Sequence, residues 1–412
     1  MAATKFQESY PYNVLYIEDS VGVGGSIVSL NHLLKYLDKK KFFPYAVVYH
    51  KNQENYLNSR CHNVKTIVAR PRSSLKSSCL GRSLVNYSKL TGKVGGRVGH
   101  FFIFLVDFFV AILPYALRLY FYAKDRDIHL VHLNTGVCIP GVVLAKLLRV
   151  PCIATQRGPE WISPVIRFFS KSILLFIAIS ETTKNDLIKL GVDPLKIAVM
   201  NPAVDFKKFD FRIDSSRKRK EFALSQNEVC FGIIGVLAEW KGHRVFLEAA
   251  AKVLSVVPDC KVFVIGDTPD GTTEYKNELI ALTEKLAIRQ KVIFTGFRPD
   301  VPELIQLLDI VVHTSITPEP FGKVIIEGMA MKKPVIATCL GGPAEIIEQG
   351  RTGFLVPPED PELLSQKIIE LLSNEDLVKE IGEAAWRSVK SKYDIRQHVE
   401  KMESIYHNVL SI

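Results

Sequence analysis

Pro318-Glu319-Pro320-Phe321-Gly322-Lys323-Val324-Ile325-Ile326-Glu327-Gly328-Met329-Ala330 follows an apolar run that ends His313-Thr314-Ser315. The run Asp309–Thr314 reads as a strand, and Gly322–Met331 has helical spacing, so a helix starts near Phe321 or Gly322. Glu319 then lies in the loop before the helix, and Glu327 about two turns inside it. The N–H groups of a first helical turn have no intrahelical acceptor and sit at the positive end of the helix dipole, which suits a diphosphate. A carboxylate at the mouth with a second one deeper suits a sugar or ribose diol. An ordinary amphipathic helix start is the competing reading.

Around this element the second half of the chain alternates strands with helices. Short apolar runs recur at Val229–Leu237, Lys261–Ile265, Lys291–Phe294, Pro334–Thr338 and Gly353–Val356, with helical spacing at Val245–Leu254 and Glu274–Leu286. Continuous apolar strands joined by helices of this length imply right-handed crossovers and a parallel sheet covered on both faces. The loop at Glu319 therefore lies at the C-terminal end of a parallel sheet, where ligands bind in such folds.

The first half repeats the pattern less regularly. Strands are expected at Asn13–Ile17, Tyr45–Tyr49, Ile128–Leu133, Cys152–Thr155, Leu174–Ile179 and Ile197–Met200, with an interruption at about 55–125. The first of these runs into Glu18-Asp19-Ser20-Val21-Gly22-Val23-Gly24-Gly25-Ser26 and then a helix. Gly24 and Gly25 at such a turn would let a phosphate approach the backbone N–H groups; a tight turn without a ligand is the alternative. Ile27 stands where a dinucleotide fingerprint wants its third Gly, no Lys-Ser or Lys-Thr makes a P-loop, and Tyr49-His50-Lys51 offers no ribose carboxylate. Asn201-Pro202 ends this series, and the polar stretch Asp205–Lys220 reads as a hinge. The division is thus 1–205, 206–382, and a C-terminal helical segment 383–412 able to pack back on the first domain.

A length of 412 residues suits two such domains. Formal net charge is +10, which by itself fits nucleic acid, an anionic membrane or an anionic substrate. It is unevenly placed: residues 1–205 hold 26 Lys and Arg against 13 Asp and Glu, and residues 206–412 hold 27 against 30. Arg60–Arg97 alone has nine Lys or Arg, and no carboxylate stands between Glu54 and Asp107. Neither Lys39-Lys40-Lys41 nor Arg217-Lys218-Arg219-Lys220 is interleaved with aromatics, so both read as solvated runs and nucleic acid is disfavoured. Seven Cys without a C-x-x-C pair read as reduced thiols of a cytoplasmic protein. A leader with a basic and then an apolar region is not evident at the N-terminus.

Within the interruption, Phe101–Tyr122 is apolar over 22 residues, nine of them Phe or Tyr. It is long enough to span a bilayer, but Asp107, Arg118 and Pro114 oppose a span, and the strands on either side should share one sheet. Two readings remain, a core helix pair or a segment lying in the plane of an anionic membrane surface, with 70–125 as the membrane-facing part.

The paired glutamates resemble those of the retaining glycosyltransferases of family 4, the group 1 glycosyltransferase-like enzymes of GT-B architecture. Gly235-Val236-Leu237-Ala238-Glu239-Trp240-Lys241-Gly242 resembles the loop that carries the diphosphate lysine of that family. Val262–Asp267, Phe294–Phe297, Pro334–Thr338 and Gly341–Glu345 are similar to its donor half, and Ile179–Thr182 and Asn201–Asp205 to the end of its acceptor half. The resemblance covers about residues 13–373 and is weakest over 55–125. It implies an α/β fold of two Rossmann-like parallel-sheet domains facing across a cleft.

It further implies a nucleotide-sugar donor as substrate, with no cofactor and no essential metal. Lys241 would bind the diphosphate, Glu327 the ribose diol and Glu319 a hydroxyl of the transferred sugar, while the backbone N–H groups of Phe321, Gly322, Lys323 and Val324 line the sugar and phosphate. Two positions depart from the family: Val236 stands where an Arg is common, and Gln156-Arg157-Gly158 where a His often follows the strand. Arg157 is the candidate for the missing cation, with a surface-loop Arg as the alternative. The expected activity is hexosyl transfer to a lipid-linked or polysaccharide acceptor of the cell envelope, by a cytoplasmic enzyme peripheral to the membrane. A nucleotide-sugar epimerase or hydrolase on the same fold, and a non-catalytic nucleotide-sugar-binding subunit, are the alternatives. His129 and His132 face opposite sides of a strand, and Asp125-Arg126-Asp127 reads as a polar helix end, so neither is a metal site.

Overall fold

The structure, a computed structural model, describes residues 11–20, 24–61, 63–69, 104–158, 164–225, 228–268 and 272–411. The basic stretch from Arg70 to Arg97, Phe101–Ile103 and the turn residues Val21–Val23 lie outside the described residues. The chain divides into two units. One takes the described residues up to Ile179, Thr183–Met200 and those from Val399 on; the other takes Ser180–Thr182 and Asn201–His398.

The first unit runs β1 (Tyr12–Glu18), α1 (Gly25–Tyr36), β2 (Phe42–Val48), α2 (Lys51–Asn58), β3 (Lys65–Val68), α3 (Leu113–Ala123), β4 (Ile128–Leu133), α4 (Ile139–Leu148), β5 (Cys152–Gln156), α5 (Pro164–Ser170), β6 (Leu175–Ala178), α6 (Glu181–Leu190) and β7 (Ile197–Val199). Its strands pair in parallel in the order β3-β2-β1-β4-β5-β6-β7. All six strands expected in this half are present. The edge strand β3 is the addition; its four residues Lys-Thr-Ile-Val are partly exposed, so they carry little of the buried pattern that marks the others.

The second unit runs α7 (Ser216–Glu221), β8 (Val229–Ile234), α8 (His243–Val256), β9 (Cys260–Ile265), α9 (Glu274–Lys285), β10 (Val292–Gly296), α10 (Val301–Leu307), β11 (Ile310–His313), α11 (Lys323–Ala330), β12 (Val335–Thr338), α12 (Pro343–Ile346), β13 (Phe354–Val356), α13 (Pro361–Leu372) and α14 (Glu375–Lys392). Its sheet is parallel in the order β10-β9-β8-β11-β12-β13. Phe231, Val262, Val264, Ile310 and Val312 are buried with Phe246, Leu247 and Ala250 of α8 in one core. In both sheets the strand order reverses once, between β1 and β4 and between β8 and β11. Connections leave to opposite sides there, and a crevice opens at the strand ends.

The hinge expectation needs a correction at α7. Lys218 pairs with Asp300 and with Glu221 at 2.8 Å, and Arg298 bridges Glu221 and Asp300 at 2.6 Å each. Part of the basic run at 217–220 is therefore docked on the second unit rather than solvated. The C-terminal segment is two helices, α14 and α15 (Ile395–Leu410), because the chain turns at Tyr393–Asp394, whose backbone pairs with Val204.

The part of α15 that belongs to the first unit is inserted by Tyr406, which is fully buried. Its hydroxyl meets the Tyr16 hydroxyl at 3.0 Å and His132 Nδ1 at 2.7 Å, and His132 Nε2 meets Thr155 Oγ1 at 2.7 Å. His132 is thus a satisfied core histidine. Burial, helped by the charge of Arg157, drops its imidazole to about 3. An unfolded histidine titrates near 6.5, so the unfolded state binds a proton that the fold refuses. Stability held above pH 6.5 is therefore lost as pH falls from there towards 3, by about tenfold in the folding equilibrium per pH unit for this one group. Urea unfolding between pH 7.5 and 5 checks this: His132→Gln, weaker at pH 7.5, should show a flatter decline than the wild type.

Candidate active site

Lys241 follows β8 and Glu319 follows β11, the two strands that flank the reversal of strand order in the second unit. Their approach depends on Gly242, whose φ is +69° and where a Cβ would run into the carbonyl oxygen of Thr314. The Thr314 hydroxyl donates to the carbonyls of Lys241 and Gly242 at 3.0 and 3.1 Å, and Ile316 N–H to that of Trp240 at 2.9 Å. From the other side, Glu319 N–H donates to Leu340 at 3.2 Å and its carbonyl accepts from Gly342 N–H at 2.8 Å. Gly341, at φ +76°, has no room for a Cβ beside the Glu319 carbonyl. Three strand ends are thus tied together around one side chain.

The Glu319 Oε2 atom accepts from Lys241 Nζ at 2.6 Å, Ser315 Oγ at 3.1 Å and His313 Nε2 at 3.2 Å. Burial by itself would raise this carboxyl, but the His313 hydrogen bond and the Lys241 charge outweigh it and hold it at about 2. Glu319 is therefore a carboxylate at any ordinary pH. Burial lowers His313 against the pull of Glu319, so its ring is neutral with the proton on Nε2, facing the carboxylate. Lys241 also lies over the Trp240 ring at 4.2 Å.

Gly322, at φ +94°, starts α11, and no side chain caps it. The Phe321 ring turns into the core against Tyr393, 5.7 Å between centroids, so only its backbone is on the site side. Glu327 lies 3.8 Å from Lys323; burial pushes its carboxyl up, and Lys323 and Lys208 pull it back. The second unit therefore brings together Lys241, Glu319, the Gly322–Val324 backbone and, farther along α11, Glu327. His313 and Ser315 are partners that sequence reasoning did not single out. Their signal was present: residues two apart at a strand end point to the same side.

Gly24, Gly25 and Arg157 belong to the first unit, again at a reversal of strand order. Gly24 precedes α1 at φ −113°, and a Cβ at either glycine would meet nothing within 4 Å among the described residues. Arg157 is no loose surface side chain. Its Nε and Nη2 donate to the Asn134 carbonyl and Oδ1 at 2.8 Å each, while the Asn134 amide donates to Glu18. Ser26 Oγ adds a hydrogen bond to Glu18 at 2.9 Å. Burial pulls Arg157 down to about 10 against the opposing pull of Glu18, which leaves it cationic at neutral pH. Gln156 is buried, with its amide on the Gly158 carbonyl at 2.7 Å. Among the described residues no group of three or more His, Cys, Asp and Glu is gathered as a metal set.

Residues 214–387 match the family model of glycosyl transferases group 1, and residues 23–208 match Glycosyltransferase Family 4. The chain belongs to the group 1 glycosyltransferases of family 4. It is 27% identical over 302 residues to the N-acetyl-alpha-D-glucosaminyl L-malate synthase of Bacillus anthracis, covering 70% of this chain and 77% of that one. It is 24% identical over 311 residues to the UDP-Gal:alpha-D-GlcNAc-diphosphoundecaprenol alpha-1,3-galactosyltransferase of Escherichia coli, covering 70% and 78%. Some relatives are matched over only about half their own length, 49%, 44% and 52% in three cases. Anabaena Alr3699/HepE, solved with UDP and glucose and also with UDP-glucose, superposes with a TM-score of 0.78 over 96% of this chain and 99% of that one at 22% identity. The two sheets are thus those of a GT-B fold, and the chain is a glycosyltransferase by family.

Gly242→Ala tests the assembly of the site. A strained positive φ alone costs about 1–3 kcal/mol, and the Thr314 carbonyl must move as well. Urea unfolding should show a loss of at least that size; an unchanged midpoint would mean that the two loops are not held together as described.

Proposed function

We propose that this chain transfers a hexosyl group from a nucleoside-diphosphate sugar, with retention at the anomeric carbon, to a hydroxyl of a lipid-linked or polysaccharide acceptor at the cytoplasmic face of a membrane. The observation that carries the donor half is the charged Glu319, anchored by Lys241, His313 and Ser315 beside the uncapped N-terminus of α11. Departure of a nucleoside diphosphate builds negative charge on its phosphate oxygens. Lys241 and the first-turn N–H groups of α11 are assigned the stabilisation of that charge, since preorganised donors lower a barrier where charge develops. Glu319 accepts from a hydroxyl of the transferred sugar, and Glu327 from the ribose diol. In front-face attack the departing phosphate oxygen takes the acceptor proton as the new glycosidic bond forms and the sugar–phosphate bond breaks, so no protein nucleophile is assigned. Arg157 is assigned the further cation that Val236 leaves missing.

Family membership supports the donor class, as do the UDP and UDP-glucose named for the Anabaena protein. The diphosphoundecaprenol substrate named for the Escherichia coli relative supports a lipid-linked acceptor.

A thermal-shift panel of nucleoside diphosphates and their sugars tests the donor. A ligand at 100 times its Kd adds about 2.7 kcal/mol of stability, and Lys241→Ala should abolish the shift. With the matching donor and a membrane extract as acceptor source, NMR of the product should show the donor's anomeric configuration. Lys241→Ala should cut kcat by about 10²–10³, and Arg157→Ala should weaken turnover. Inverted product, or a panel without any stabilising nucleotide, refutes the reading. Free sugar or epimer formed without acceptor supports the hydrolase or epimerase instead, and binding without turnover a sensor subunit.

A further inference from the structure

The helix that runs from Phe104 to Arg126 is among the described residues the one long and apolar enough to cross a membrane. It does not cross: β3 before it and β4 after it share one sheet. One face is core, where Ala111, Tyr115, Ala116, Leu119 and Ala123 are buried with Val131 and Leu133 of β4. The Tyr115 hydroxyl donates to Ala69 at 2.7 Å. Residues Phe108–Ile112 form a wide π turn just before Pro114. The proline lacks the N–H that a regular turn would bond back to Val110, and the widened turn accommodates it.

The opposite face is what a soluble helix should not have. Val110, Pro114, Leu117 and Phe121, at helical spacing, all point outward, and Phe109 beside them is 63% exposed and Phe121 62%. A helix face turned to water is normally polar. This stripe is apolar for about 16 Å from Val110 to Phe121, eleven rises of ~1.5 Å each. Cations rim it: Arg118 lies on the same face, and Lys124 Nζ stands 5.3 Å from the Phe121 ring centroid. The acidic pair Asp125 and Asp127 comes only beyond the last apolar turn. Helix α5 extends the surface. Its Phe169 ring packs against Phe104 and Phe108 at 6.3 Å each, while its Phe168 is 63% exposed between exposed Arg167 and Lys171. In the sequence, nine Lys and Arg without a carboxylate lead towards the helix from residue 60 to 97.

We propose that the stripe of Phe109, Val110, Leu117 and Phe121, with Phe168 beside it, beds in the headgroup–acyl boundary of an anionic phospholipid bilayer. The helix lies in the membrane plane, its inner face still in the protein core. Aromatic rings at the boundary with Lys and Arg at the rim complement such a surface, whereas a second copy would bring the same cations together. The inference deepens the reading of a membrane-borne acceptor by naming the surface at which the first unit meets it.

Flotation of the full chain with vesicles of phosphatidylcholine alone, and of phosphatidylcholine mixed with phosphatidylglycerol, tests it. The wild type should float with the mixed vesicles, poorly with the neutral ones, and less as salt is raised. Phe109→Ser with Phe121→Ser should lower the bound fraction by about tenfold or more, since two large apolar rings then no longer leave water. Arg118→Glu with Lys124→Glu should erase the preference for the anionic lipid. Both variants should keep the wild-type melting temperature and its shift with a nucleoside diphosphate, which shows that they are folded. Wild-type protein that stays off both vesicles, or a Ser variant that floats like wild type, overturns the proposal, as does a concentration-dependent dimer that the Ser variant abolishes. If no nucleotide shifts any form while flotation behaves as expected, the donor reading fails and this one stands.

Discussion

The close approach of the loop after β8 to the loop after β11, which only a glycine at 242 allows, is the constraint on which the candidate site depends. Where the Thr314 carbonyl lies, an L-residue would place its Cβ. With glycine there, the backbone turns at positive φ, α8 begins at once, and the Lys241 ammonium comes within 2.6 Å of Glu319. The other ties, through Thr314, Gly341 and Gly342, hold the loops in the same place. A site assembled from backbone close approaches is rigid in the sense that matters for charge stabilisation: its dipoles need not be reoriented when charge develops.

Two carboxylates of one short segment are pushed in opposite directions. The His313 hydrogen bond and the Lys241 charge keep Glu319 ionised, whereas burial raises Glu327 against the opposing pull of Lys323 and Lys208. Environments that separate like groups in this way give them separate roles. The first unit repeats the theme with other residues: Arg157, Asn134 and Glu18 form a chain across the ends of β5, β4 and β1. Arg157 is thereby a fixed cation, and that fixation is a property of Asn134 as much as of the arginine.

Much of the fold was legible because parallel strands covered on both faces must be apolar throughout. The runs at Val229, Lys261, Lys291, Asp309, Pro334 and Gly353 all proved to contain strands, with ends shifted by a few residues. β3 was not legible, since a short, partly exposed edge strand carries no such signature. At the site, Glu319, Gly322 and Glu327 could be read from the order strand, loop, helix. His313 and Ser315 could not be given a role, because a histidine ending a strand is equally well a core residue, as His132 is. The basic run at 217–220 looked solvated because, besides its local partner Glu221, Lys218 is held by Asp300, 82 residues away.

The segment around Phe109 shows where the boundary lies. A hydrophobic stretch of this length and composition opposes a span but is compatible with a core helix or a surface helix, and the sequence weighs those two about equally. Only the tertiary structure shows that one face is core and the other apolar and outward, because exposure depends on what else packs there. By itself the sequence determined two parallel α/β units, a family, a glycine-started helix with two glutamates, and a positive charge confined to the first half. These follow from local periodicity and composition, which a chain carries wherever it goes. The Lys241 bond to Glu319, the clamp on Arg157 and the outward apolar stripe were decided by how residues far apart in sequence come together or fail to, which exists only once the chain is folded.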